Sequence, residues 1–197
     1  MNNVFTALAI LVALMPVSSS AASFHRRFEF KSGAASSDAQ RVSAQDVYTA
    51  GRGYGFDLGT AAGIGASSAT SAKPFYFSVA VPEGNYAVTV TFGDAKSATT
   101  NALKAELRRL LLECVETRPG EFVTKTVVIN VRTPVIPGGD HVKLKQREKD
   151  GEMVNWDDKL TLEFNGARPA VAALEVKAVD VPTVFLLGDS TVCDQPN

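Results

Sequence analysis

Alternation of apolar and polar positions dominates the chain from Phe24 to Asp180. Phe28-Glu29-Phe30 alternates, as does Phe75-Tyr76-Phe77-Ser78-Val79, and Tyr86, Val88, Val90 and Phe92 share one face of the run from Tyr86 to Phe92. A period of two marks a strand with one buried face. Phe122 to Val131, Lys159 to Phe164 and Ala172 to Val179 are further segments rich in Val, Thr, Leu or Phe and bounded by Gly, Pro, Asn or Asp. Six or more short strands with frequent turn signals predict a mainly β domain built as a sandwich of two antiparallel sheets. Pro82-Glu83-Gly84-Asn85 has the composition of a tight turn and reads as a hairpin between its flanking strands.

One stretch departs from the pattern. Leu103, Leu107, Leu110, Leu111 and Cys114 fall at helical spacing among good helix formers. The setting, between a strand and the turn at Arg118-Pro119-Gly120, also admits a pair of strands, which is the preferred reading because tertiary context overrides propensity. Gly59 to Ala72, rich in Gly, Ala and Ser, lacks the side chains for a core and predicts a surface loop. Gly51, Gly53, Gly55 and Gly59 follow no strand and precede no Lys-Ser/Thr, so they are not a phosphate loop. Between Pro134 and Asp150 a Pro-Gly-Gly precedes His141, Lys143, Lys145, Arg147 and Lys149. This basic excursion reads as a solvated hairpin or loop, or more sharply as an edge that meets an anionic polysaccharide.

The first 22 residues differ in composition. Val4 to Leu14 is apolar apart from Thr6, and Pro16 and a small-residue stretch ending at Ala22 follow. An apolar core of about 11 residues is too short to span a bilayer. With Ser20 and Ala22 ahead of a cut near Ser23, the layout is that of a secretory signal peptide. The expected organisation is a signal peptide over 1–22, a β-sandwich over 23–181 and the start of a second domain over 182–197. The product is expected to be secreted or periplasmic, with no membrane span.

A net charge of −1 gives no general attraction to nucleic acid or anionic lipid. The two cysteines, Cys114 and Cys193, lie far apart in no metal-ligand spacing, and whether they pair is left open. No metal or other cofactor is expected.

After Pro182 the pattern changes. Thr183-Val184-Phe185-Leu186-Leu187 is a short continuous apolar run followed by Gly188-Asp189-Ser190-Thr191. A strand apolar on both faces suits a parallel sheet covered by helices on both sides. Gly188 lets the chain turn at its end, and Asp189 or Ser190 has the chemistry to cap a following helix. A hydroxyl there is poised as a nucleophile, and its own N–H helps hold an oxyanion.

The string Val184-Phe185-Leu186-Leu187-Gly188-Asp189-Ser190-Thr191-Val192, with Asp194 close behind, resembles the first block of GDSL (SGNH) hydrolases, most closely rhamnogalacturonan acetylesterases. The preceding β domain looks like the galactose-binding-like sandwich, a jelly roll, that precedes the hydrolase in longer members. The resemblance implies an α/β flavodoxin-like hydrolase that deacetylates galacturonate in pectic rhamnogalacturonan without a metal. It matches Ser190 to the nucleophile and oxyanion N–H donor, and Asp189 to the motif's acidic neighbour. The family also requires a later Gly and Asn for the oxyanion hole and an Asp-x-x-His block for acid and base. None of these follows within the 197 residues, and neither His25 nor His141 has an Asp three positions earlier. A serine with no base to take its proton is a poor nucleophile at neutral pH. The chain is therefore expected to be a truncated esterase, inactive alone, with the rest of the hydrolase domain and plant cell-wall polysaccharide as its partners.

Two other readings stand beside this one. The sandwich is a carbohydrate-binding module, with Trp156, Tyr48 and Tyr54 as the aromatics that stack on sugar rings, or it is a structural spacer, with Trp156 a core or hairpin residue and the tyrosines covering the sandwich edge.

Overall fold

The computed structural model describes residues 23–185, apart from 107, 147–148 and 150–152. The segment 1–22 read as a signal peptide, Leu186-Leu187, Asp189, Ser190 and Cys193 lie outside the described residues.

The strands run in chain order as β1 (His25–Glu29), β2 (Gln40–Arg41), β3 (Tyr54–Asp57), β4 (Gly63–Ile64), β5 (Ala69–Thr70), β6 (Phe75–Ala80) and β7 (Gly84–Gly93). They continue as β8 (Thr99–Ala105), β9 (Arg109–Thr117), β10 (Phe122–Val131), β11 (Val135–Ile136), β12 (Asp140–His141), β13 (Lys159–Arg168) and β14 (Ala170–Ala178). One sheet has the order β10-β7-β14-β1-β2, with β5 joining β14 and β4 joining β5. The other has the order β3-β6-β13-β8-β9 and is antiparallel throughout. In the first sheet β1 and β2 run parallel.

The inward faces of both sheets meet in one core. Phe28, Tyr86, Val88, Val90, Phe92, Leu174 and Val176 come from the first sheet, and Phe56, Phe75, Phe77, Leu103, Leu160, Leu162 and Phe164 from the second. Rings bridge the layers edge to face, Phe28 on Phe77 at 5.4 Å and Phe92 on Phe164 at 6.4 Å. Those contacts add about 1 kcal/mol each to the area buried. The protein is mainly β, with two packed sheets.

Alternation located the main strands, and the segment 102–115 is a strand pair. Thr99, Asn101, Leu103 and Ala105 alternate inward along β8. Glu106, at φ 56°, turns the chain into β9, so the helical spacing spans two elements.

Two expectations need correction. Pro82–Asn85 is not a hairpin: β6 pairs with β3 and β13, β7 pairs with β10 and β14, and the turn carries the chain from one sheet to the other. Turn composition fixes the reversal and says nothing about pairing, and both flanking strands have an apolar face to bury. Gly59 to Ala72 is not only loop. It holds β4 and β5, with Ala62, Ser68 and Ala69 buried, because small side chains let this segment lie close on β14.

The basic excursion begins as the predicted hairpin, β11 against β12. No helix among the described residues is long and apolar enough to cross a membrane.

Candidate functional site

The chain leaves β14 along a path fastened to the β6–β7 turn by one side chain. Asn85 accepts the Val179 N–H at its carbonyl (2.9 Å), and its side-chain amide donates to the Val181 carbonyl and the Thr183 hydroxyl, each at 2.9 Å. Its Oδ1 accepts from Asn130 at 2.8 Å. Thr183, Val184 and Phe185 join neither sheet, and Val184 and Phe185 stay 83% and 59% exposed.

Phe185 forms one wall of a groove of about 460 Å³. Val135, Ile136, Pro137, Val142 and Trp156 supply its apolar lining, and Glu83, Arg132 and Thr133 its polar one. Glu83 is clamped: Arg132 donates to Oε1 at 2.6 Å, and the Thr133 N–H and hydroxyl donate to Oε2 at 3.1 and 3.0 Å. Burial opposes ionisation of Glu83, but these bonds outweigh it and hold its carboxyl below the usual range. The Arg132 guanidinium lies over the Phe185 ring at 4.5 Å. Trp156 is half-buried here, the only tryptophan in the chain.

The three aromatics singled out from the sequence occupy different surroundings. Tyr48 carries the Lys159 ammonium over its ring at 4.8 Å. Tyr54 packs on Phe28 at 5.2 Å and Phe77 at 6.4 Å. Its other side lines a depression of about 380 Å³ formed with His25, Arg26, Arg27, Asp38, Gln40 and Arg52. Among the described residues no ring contact joins Trp156 to either tyrosine.

A polar cluster sits on the second sheet beside Trp156. Asp57 accepts from Lys159 Nζ at 2.6 Å and Ser78 Oγ at 2.7 Å, and Ser78 Oγ meets Thr161 Oγ1 at 2.9 Å. Asp157 accepts the Lys159 N–H at 3.1 Å. Glu106 is 2% exposed; its Oε1 accepts the Thr161 N–H at 3.2 Å, and its Oε2 has no partner. Burial, joined by the Asp157 charge, pushes the Glu106 carboxyl up to about 8, and burial raises Asp157 to about 6. Among the described residues no group of three or more His, Cys, Asp or Glu is placed to hold a metal ion.

Sequence reasoning missed Glu83, Arg132, Val135, Ile136 and Phe185 as groove residues. The available signal was Val135-Ile136-Pro137, apolar residues inside a segment read as solvated. His25 bonds Glu175 at 2.6 Å on the first sheet, and Cys114 is exposed and forms no disulfide among the described residues, with Cys193 outside them.

No protein-family profile and no curated protein matches the chain. Among solved structures it is similar to protein YxiM from Bacillus subtilis, with TM-score 0.49, 20% identity, and coverage of 79% of this chain and 40% of that one. The Podospora anserina GH26-CBM35 β-(1,4)-mannanase matches at TM-score 0.39 and 9% identity over 81% and 28% of the two chains. The plant receptor-like kinase FER matches at 0.42 and 12% over 79% and 42%. The chain thus spans less than half the length of each, and at these scores the likenesses carry nothing about activity or ligand.

Proposed function

We propose that the chain is the amino-terminal part of an exported serine esterase of the GDSL class acting on acetylated rhamnogalacturonan, with a galactose-binding-like sandwich as its accessory domain. One observation carries the reading. The run that opens the Gly188-Asp189-Ser190 string departs from the sandwich with Val184 and Phe185 exposed and paired to neither sheet. Such a run requires cover on both faces, which is what a strand inside an α/β layer receives. Ser190 lies five positions beyond Phe185 in the chain, a reach of at most about 18 Å.

In this reading Ser190 attacks the acetyl carbonyl and its N–H helps hold the oxyanion. The 197 residues supply no Asp-x-x-His, so the expected rate of the 197-residue chain is that of buffer. The test is deacetylation of acetylated rhamnogalacturonan and p-nitrophenyl acetate by the protein as encoded, however far it extends past Asn197, beside Ser190→Ala and beside the 197-residue chain. Expected is a loss of about a thousandfold or more with Ser190→Ala in the encoded protein. A Ser190-dependent rate in the 197-residue chain shows that its base lies elsewhere, and activity indifferent to Ser190→Ala sinks the reading.

The groove favours a second reading, a carbohydrate-binding module without catalysis. Trp156, half-buried beside the fixed Glu83-Arg132 pair, combines an apolar ring with polar neighbours, the composition of a sugar site. As the sole tryptophan it reports directly. A fluorescence change on adding pectic oligosaccharide, lost in a Glu83→Gln/Arg132→Gln double variant, supports this reading, and a silent titration counts against it.

A further inference from the structure

We infer that the depression lined by Arg26, Arg27, Arg52 and Tyr54 binds the carboxylate of an acidic saccharide. The inference rests on the proposal that the sandwich faces a pectic polysaccharide, but it concerns a site apart from Ser190 and from the Trp156 groove.

Three guanidiniums line one depression of about 380 Å³ in a chain whose net charge is −1. Two are matched by acids: Arg27 pairs with Asp38, and Arg52 donates to the Val47 carbonyl at 2.5 Å with Asp46 at 3.9 Å. His25, on the rim, is bonded to Glu175. Arg26 differs. Among the described residues no carboxylate lies within 4 Å of it, and its one hydrogen bond, to the Gly53 carbonyl, is long at 3.4 Å.

Arg26 is exposed, and two loose contacts orient it. It stands two residues before the buried Phe28 on β1, at the end of the inward face, where its guanidinium reaches the second-sheet side at Gly53 and lies 5.8 Å from the Phe24 ring centre. A guanidinium offers five N–H donors in a planar fork that matches a carboxylate in a bidentate pair. Arg26 therefore presents an unmatched fork in a cleft, with two further cations beside it.

Tyr54 supplies the remaining chemistry. Its ring is fixed against Phe28 and Phe77, and its hydroxyl has no hydrogen-bond partner among the described residues. Burial, with the nearby Asp46 charge, raises its ionisation above the ordinary tyrosine value, so it remains a donor at neutral pH. A fixed aromatic edge, an unused hydroxyl and an unmatched guanidinium together suit a sugar ring that carries a carboxylate. His25, Arg27, Asp38, Gln40 and Arg52 around the cleft are exposed.

The experiment is isothermal titration of the Ser190→Ala chain with α-1,4-linked trigalacturonate, its fully methyl-esterified counterpart and inorganic phosphate. Expected is binding of trigalacturonate, no measurable binding of the neutral ester, and no competition by phosphate at equal concentration. Arg26→Gln weakens trigalacturonate about tenfold or more, and Tyr54→Phe weakens it by a smaller factor. Urea midpoints of both variants check that each is folded. Equal binding of the methyl ester overturns the proposal, because the carboxylate is then not read. Phosphate binding as strong as trigalacturonate also overturns it, by making the cleft a general anion site. So does absence of binding, or a folded Arg26→Gln that binds undiminished. Since Ser190 is absent from the experiment, trigalacturonate binding beside an encoded protein with no Ser190-dependent esterase activity removes the enzyme reading and leaves this site standing.

Discussion

Replacing Glu106 by Gln should remove a pH dependence of stability that the wild-type chain carries between pH 6 and pH 8. Glu106 is buried, with one carboxyl oxygen unpartnered and its pKa raised to about 8 from 4.5. The folded state therefore keeps a proton that the unfolded chain loses at lower pH. The stability linked to this proton is fully present below about pH 4.5 and is lost as pH rises through 8. The slope approaches 1.36 kcal/mol per pH unit inside the window, which gives about 2 kcal/mol between pH 6 and pH 8. With a urea dependence of about 2 kcal/mol per molar, the wild-type midpoint falls by about 1 M over that interval. Glutamine keeps an acceptor for the Thr161 N–H and cannot ionise, so the Gln variant overtakes the wild type as pH rises. Asp157, raised to about 6, has the same sign but acts mostly below pH 6 and is common to both proteins. The lowered carboxyls of Asp57, Glu83 and Asp94 act in the opposite sense and in the acid range. Urea titrations at pH 6, 7 and 8 decide the matter: parallel pH dependence in the two proteins refutes the reasoning.

Three other perturbations follow from the packing. Phe77→Ala empties a site where rings of Phe28, Phe30 and Phe56 converge, and should cost about 3–5 kcal/mol by urea denaturation. Gly166 sits at φ 121°, where an added Cβ would lie 2.1 Å from the Thr100 carbonyl oxygen, so Gly166→Ala should cost about 3 kcal/mol or more in the same assay. Asn85→Ala removes the bonds to Val181 and Thr183 and should speed proteolytic cleavage between 179 and 185 while lowering global stability by about 1–2 kcal/mol. Unchanged cleavage there means that Asn85 does not hold the exit path.

Strands whose apolar residues alternate were legible, because a single buried face imposes a period of two. The run Tyr86 to Phe92 is the clearest, with Tyr86, Val88, Val90 and Phe92 all inward. Strand β8 was harder, since polar residues take inward positions along it. Asn101 is buried with its amide bonded to the Val115 carbonyl and Thr99 and its carbonyl oxygen accepting the Ala170 N–H, and Thr99 meets Thr117. A pattern of hydrophobicity does not register such positions. The sheet change at Pro82–Asn85 was hidden for another reason, because pairing partners are set by contacts distant in sequence. The polar cluster around Glu106 and Lys159 escaped because its members, Asp57, Ser78, Glu106, Asp157 and Thr161, are scattered along the chain and meet only across β3, β6, β13 and the end of β8. The reading of Ser190 rests on a contiguous string instead, and from Leu186 onward that string lies outside the described residues.

The central claim, that Ser190 is the nucleophile of an esterase, is tested most directly by covalent labelling. The encoded protein is treated with a p-nitrophenyl phosphonate and the modified peptide is located by mass spectrometry. The account predicts one adduct, on Ser190, formed in step with loss of deacetylase activity and absent from Ser190→Ala. Activity lost with the adduct on another residue, or retained while Ser190 is fully modified, would contradict it.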